Sequence, residues 1–215
     1  MPAHPRYRDI DVLRREYAER GGMIRLRLGE FARVPPAAYF YELAYCLCTP
    51  QSSAVNAGKA IARLQADRFL ECGDDPVDAL RGPGHYIRFH RTKARHLLEA
   101  RAAFPHIAQI LSEAQGRENG AAVRVWLVKN VRGLGWKEAS HFLRNTGWRG
   151  LAILDRHILR NLRRHGVLRE IPRTLTGTRY LAIENRFRRF GNAIGIDIDE
   201  LDLLFWSRET GEILK

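Results

Sequence analysis

Lysine is scarce in this chain. Lys59, Lys93, Lys129, Lys137 and Lys215 are the five lysines among 36 basic residues, leaving 31 arginines to supply generic positive charge. Cysteine is scarcer still. Cys46, Cys48 and Cys72 are an odd set without C-x-x-C spacing, which argues against a disulfide framework or a zinc site and falls short of the four thiolates of an iron–sulfur cluster. Long apolar runs are also missing: MPAHPRYRDIDVLRRE has no signal-peptide core, and nothing approaches the ~20 apolar residues needed to span a bilayer. A reducing, cytoplasmic setting is expected, with no membrane partner.

What is present is a core and a strong charge. The 215 residues are 45% hydrophobic, enough for one domain or two small helical lobes. A net charge of +12 and a pI near 10.2 suit a polyanionic partner. Eight arginines, Arg124, Arg132, Arg144, Arg149, Arg156, Arg160, Arg163 and Arg164, cluster between 124 and 164.

Helical spacing dominates the chain, and the fold expected is all-α. Residues 9–20 form an amphipathic helix ended by Gly21-Gly22, and 25–30 read as a further short helix. Ala38 to Cys48 is apolar nearly all round except Glu42, as in a central buried helix, and Thr49-Pro50 breaks it. Helices follow from Gln51 through Leu64, at 76–81, over Thr92–Arg101, at 104–114 and from Glu118 to Asn130. His90 and His96 fall on different faces and make no metal pair. Beyond 156–165, helices over Tyr180–Phe190 and Ile198–Trp206 complete the chain.

The stretch from 123 to 165 holds the chemistry. Val131-Arg132-Gly133-Leu134-Gly135 cannot continue a helix, because two glycines a residue apart favour a tight turn. From Trp136 a second helix carries Ala139, Phe142, Leu143 and Thr146 inward, and Gly147 marks its end. Hairpin amides and the new helix N-terminus can hold a phosphate oxygen. Lys137 stands in that helix's first turn, where the macrodipole disfavours an ammonium and favours a free amine. Eighteen residues on, Asp155 precedes Ile158, Leu159 and Leu162 and reads as an N-cap.

Gly133-Leu134-Gly135-Trp136-Lys137 followed by Asp155 resembles the helix-hairpin-helix DNA glycosylase superfamily. GLGWKEASHFLRNTG with LAILDRHIL is similar to the archaeal-type branch of 8-oxoguanine DNA glycosylase/AP lyases, as are CLCTPQSSA, RFHRTKARHLLEAR and LDLLFWSRETGEILK. The resemblance implies two helical lobes with the active site in the cleft between them. The lobes expected are 1–50 with 166–215, and 51–165 carrying the motif at about 123–147.

It also implies roles. Lys137 would attack C1′ of an extruded nucleotide and form a Schiff base, from which β-elimination cuts the strand. Asp155 would stabilise positive charge on the sugar. Trp206 would face the extruded purine, with Lys215 in the recognition site. Gln51 would enter the vacated stack, while Arg88, Arg132, Gly133 and Gly135 hold the backbone; Phe89, an aromatic at the mouth of a basic helix, is either a wedge into that stack or a core residue. No cofactor is required on this reading, although a monovalent cation at carbonyls 130–135 is in keeping with the superfamily. The partner is double-stranded DNA containing 8-oxoguanine, met by a monomer at the nucleoid. Two other readings stay open: an endonuclease III-like enzyme for oxidised pyrimidines, which usually carries the four-cysteine cluster this chain lacks, and a non-catalytic helix-hairpin-helix DNA-binding module.

Overall fold

The computed structural model describes residues 7–114, 120–211 and 213, and among these there is no strand. Lys215 lies outside the described residues. Chain contacts divide the molecule into two units, Met1–Arg33 with Gly147–Lys215, and Val34–Thr146.

In the middle unit everything is laid around α2, Tyr39–Cys48. Nine of its ten residues are buried, and an all-round apolar helix must be covered on every side. The cover comes from α3 (Ala54–Ala66), α6 (His90–Ala114) and α8 (Trp136–Asn145). Phe40 packs against Phe69 and Phe104 at 5.9 and 5.2 Å between ring centres. The buried carboxylate of Glu42 accepts from Asn145 Nδ2 at 3.0 Å, which offsets the cost of its desolvation. The sequence reading had grouped this helix with the terminal segments, whereas its neighbours put it at the centre of the middle unit. Two short helices, α4 (Phe69–Cys72) and α5 (Val77–Leu80), and then α7 (Gly120–Asn130) complete that unit.

The terminal unit pairs α1 (Ile10–Ala32) with α11 (Ile198–Thr210) and adds α9 (Arg156–Arg164) and α10 (Gly177–Ile194). Its core stacks rings: Phe187 on Phe205 at 5.9 Å, and His165 between Phe205 and Phe190 at 5.5 and 5.9 Å. Among the described residues no helix is long and apolar enough to cross a membrane.

Two helix breaks expected from the sequence are absent. Helix α1 runs straight through Gly21-Gly22, because Leu13, Ile24, Leu28 and Phe31 are all buried and their packing outweighs about 1 kcal/mol per helical glycine. Gly21 is itself buried, where an added Cβ would meet Tyr17 and Arg25 at 3.1 Å. Helix α6 likewise continues across Pro105, with Leu97 and Ala100 on one side and Ile107 and Leu111 on the other sharing one buried face. A single lost backbone bond does not undo that face.

His165 is fully buried. Its Nδ1 lies 2.8 Å from Arg8 O, and Arg208 donates to its Nε2 at 2.9 Å. Those contacts require a neutral ring with the proton on Nδ1. Burial, first, and then the Arg208 and Arg164 charges hold its pKa below the ordinary histidine value, against the bond to Arg8 and the charge of Asp9. The unfolded chain therefore takes up this proton first, so the contribution to stability is complete above pH about 6.5 and is lost as the pH falls through the lower folded value. His165→Phe should lose less stability than the parent between pH about 7.5 and 5.5 in urea titrations; equal losses would show that other groups carry the acid limb.

Candidate active site

The turn after α7 takes the backbone out of helix, with Leu134 N donating to Val131 O at 3.2 Å. Gly133 is needed twice over. Its φ is +84°, and an added Cβ would stand 2.2 Å from His96 Nδ1. Gly135 is the N-cap of α8 and brings no side chain of its own to the first turn, where Glu138 Oε2 would lie 2.9 Å from a Cβ added at Gly135. The turn lines a shallow surface concavity of about 400 Å³ formed by 128–135. Arg132 is exposed and paired with Glu99 at 3.3 Å, a contact weak enough to yield to a phosphate.

Lys137 occupies the second position of α8 and is half-buried, its Nζ 3.7 Å from Glu138 Oε1. Lys93, Glu138 and Lys137 lie within electrostatic reach of one another, and Lys137 also acts on Cys46 at the buried end of α2. Both thiols here are suppressed as nucleophiles: burial pushes Cys46 well above the usual thiol range and Cys48 up to about 12. Lys137 is the amine on this face that solvent reaches, since Lys93 is only 6% exposed.

Gln51 and Phe89 come together through their neighbours, Arg88 N donating to Ser52 Oγ at 3.0 Å. Both adopt left-handed backbone, with φ of 58° and 60°. Such conformations cost on the order of 1 kcal/mol in a non-glycine residue and persist where the surroundings enforce them. Phe89 is 51% exposed with the Arg88 guanidinium 5.1 Å from its ring centre, so it is not the core residue its type would suggest.

In the terminal unit, Asp155 is the N-cap of α9. Its Oδ1 accepts from His157 N and Ile158 N, both at 2.8 Å, and its Oδ2 accepts from Trp206 Nε1 at 3.2 Å. The approach to Asp155, residues 151–154, is buried and not helical. Side chains satisfy it: Ala152 N donates to Glu184 at 2.9 Å, Leu154 N to Tyr180 Oη at 3.1 Å, and Gly150 N to Asp199 at 2.8 Å. Tyr180 Oη returns a bond to Ala152 O at 2.6 Å, and Arg188 grips Gly150 O at 2.7 Å.

Not every arginine near the hairpin faces solvent. Arg124 is 1% exposed, donates to Ser140 Oγ at 3.1 Å and lies 5.2 Å from the Trp136 ring centre, so it binds α7 to α8. Arg144 is also buried, while Arg132, Arg149, Arg156, Arg160, Arg163 and Arg164 are exposed. The arginine cluster between 124 and 164 thus includes two structural members.

A family model described as 8-oxoguanine DNA glycosylase matches residues 24–196. The 8-oxoguanine DNA glycosylase/AP lyase of Fusobacterium nucleatum is 38% identical over 208 residues, 93% of this chain and 94% of that one. The chain belongs to the 8-oxoguanine DNA glycosylase family. The Methanocaldococcus jannaschii member is 40% identical over 178 residues, 82% of this chain and 83% of its own. Among solved structures, the Thermotoga maritima 8-oxoguanine DNA glycosylase superposes with a TM-score of 0.83 at 32% identity, covering 96% of this chain and 98% of that one. The M. jannaschii glycosylase/lyase in complex with 15mer DNA containing 8-oxoguanine gives 0.83 at 34% identity, over 96% and 99% of the two chains.

Sequence reasoning passed over Lys93, Ser52, Tyr180, Glu184, Arg188 and Asp199. A signal existed for three of them: Tyr180, Glu184 and Arg188 recur every fourth residue, which puts polar groups on one stripe of α10. Among the described residues no group of three or more His, Cys, Asp or Glu could hold a metal ion.

The bond between Trp206 and Asp155 can be weighed directly. A double-mutant cycle on Asp155→Ala and Trp206→Phe should give a coupling of about 1–2 kcal/mol in urea unfolding. Strict additivity would mean that the indole and the carboxylate do not meet in solution.

Proposed function

We propose that this protein excises 8-oxoguanine from double-stranded DNA and then cuts the strand 3′ to the abasic site, with Lys137 as nucleophile. The observation that carries the roles is the half-buried Lys137 amine in the first turn of α8, directly after the Gly133/Gly135 turn, in a chain of this family.

A base paired and stacked in a duplex must be extruded before C1′ is reached, at a cost of a few kcal/mol. The amides at the turn and the exposed arginines hold the phosphates, while Gln51 and Phe89 fill the space left behind. The lone pair of Lys137 Nζ forms a bond to C1′ as the glycosidic bond breaks, and the electron pair leaves with the base. The cation-like sugar that develops is stabilised by the Asp155 carboxylate, held by three hydrogen bonds. Loss of the Nζ proton and opening of the sugar ring give the imine. Removal of a C2′ proton then expels the 3′ phosphate, and water hydrolyses the imine to release Lys137. Water-activated excision would not need an amine at this position.

Trp206 offers an aromatic face for the extruded purine while its ring nitrogen holds Asp155, and Lys215 completes the recognition of the base. A monovalent cation bound here would be held by backbone carbonyl oxygens among residues 130–135 and would supply positive charge beside a DNA phosphate. An enzyme for oxidised pyrimidines and a non-catalytic module are both set aside by the family to which the chain belongs.

Borohydride should trap the protein covalently on 8-oxoguanine duplexes, and Lys137→Gln should abolish trapping while DNA binding persists. An adduct of normal yield in that variant would make another amine the nucleophile. Asp155→Asn should slow excision by about 100-fold or more, the scale of losing one electrostatic stabiliser, measured in single turnover. A loss below about tenfold would reduce Asp155 to a helix cap.

A further inference from the structure

Lys93 is the buried charge that the chemistry above leaves unused. It sits in the first turn of α6 at 6% exposure, and its side chain turns away from solvent toward the end of α2. Nζ donates to Cys48 O at 2.7 Å and to Pro50 O at 2.6 Å, with Ser52 Oγ at 3.4 Å. Three donors of one ammonium are thereby spent on three consecutive alternate residues, 48, 50 and 52. Gln51, in left-handed backbone, lies between the last two.

The same lysine reaches the second exposed turn through Ser52, whose Oγ lies 3.4 Å from Nζ and accepts from Arg88 N at 3.0 Å. The bond from Lys93 N to Phe89 O is the ordinary first-turn bond of α6 and is independent of the side chain. The path from Nζ through Ser52 to Arg88 thus links both segments that carry left-handed, exposed side chains. The energetics favour a purpose. Burial depresses the Lys93 pKa, with Glu138 opposing and the Lys137 charge adding, so placing an ammonium here is costly. An apolar side chain would fill the space without that cost. It would also leave the carbonyls of Cys48 and Pro50 without this donor, free to relax the chain that holds Gln51.

We propose that Lys93 is a positioning residue that clamps the 48–52 and 88–89 turns together, holding Gln51 and Phe89 ready to occupy the DNA stack when the damaged nucleotide is extruded. This rests on the reading of Gln51 and Phe89 as the residues that enter the stack. Excision of a stacked base draws on that preorganisation. Cleavage at an abasic site, where no base has to leave the stack, draws on it far less.

The experiment compares single-turnover excision of 8-oxoguanine with cleavage of a matched abasic duplex, and follows a 2-aminopurine placed beside the lesion, whose fluorescence rises when the stack is opened. Lys93→Met should lower excision about tenfold or more, lower abasic cleavage by less than about threefold, and remove the fluorescence rise. Lys93→Arg, which restores a buried donor, should recover part of both. Ser52→Ala trims the clamp without emptying a buried site, and should lower the excision-to-cleavage ratio about threefold even where Lys93→Met folds poorly. Equal losses in the two reactions, or an unchanged ratio in Ser52→Ala, overturn the proposal. Gln51→Ala and Phe89→Ala separate the two layers of the argument. If they lower the ratio and the clamp variants do not, only the role of Lys93 falls; if they leave it unchanged, the stack-entering reading falls and takes the clamp with it.

Discussion

Backbone that leaves a helix in a dry interior must find partners for its amides and carbonyls, and that requirement governs the functional parts of this molecule. Gln51, Arg88, Phe89, Arg132, Gly133, Gly135, Lys137 and Asp155 lie on, or close to, stretches where helix stops, 49–53, 88–89, 131–135 and 149–155, whereas Trp206 stands inside α11. A helix satisfies itself, while all of these segments but 131–135 take side chains sent from elsewhere. Lys93 and Ser52 serve the first two, and Glu184, Tyr180, Arg188 and Asp199 serve the last. Among the buried polar groups, Lys93, Glu184 and Asp199 are the scaffolding of this irregular backbone.

The two residues assigned to the chemistry stand at helix beginnings of different kinds. Gly135 caps α8 with no side chain of its own, and Lys137 rises from the first turn beside the Glu138 carboxylate. Asp155 caps α9 with its own carboxylate, and the amides that it satisfies also fix its direction. The partial positive charge at the start of α9 complements the carboxylate that caps it.

Long helices were harder to read than short ones. Gly21-Gly22 and Pro105 are breakers by local preference, yet α1 and α6 pass through them because residues on both sides share one buried face. Burial of several large side chains exceeds the local penalty of about 1 kcal/mol for glycine or about 3 for proline. Charge misled in the same way. Arg124 reads as part of a basic surface, but a guanidinium lying over the Trp136 ring and bound to Ser140 is an internal tie.

The sequence by itself determined the helical class, the turn at Gly133 and Gly135, the first-turn position of Lys137 and the capping role of Asp155. Each follows from local preference or from spacing along a few residues, which short windows carry in full. Only the tertiary structure decided that Gly133 must also clear His96, that α2 is enclosed by the middle unit, that Trp206 holds Asp155, and that Lys93 joins the turns of Gln51 and Phe89. Those pairings span from 37 to more than 50 residues of chain, and no local pattern encodes which buried donor will meet which distant acceptor.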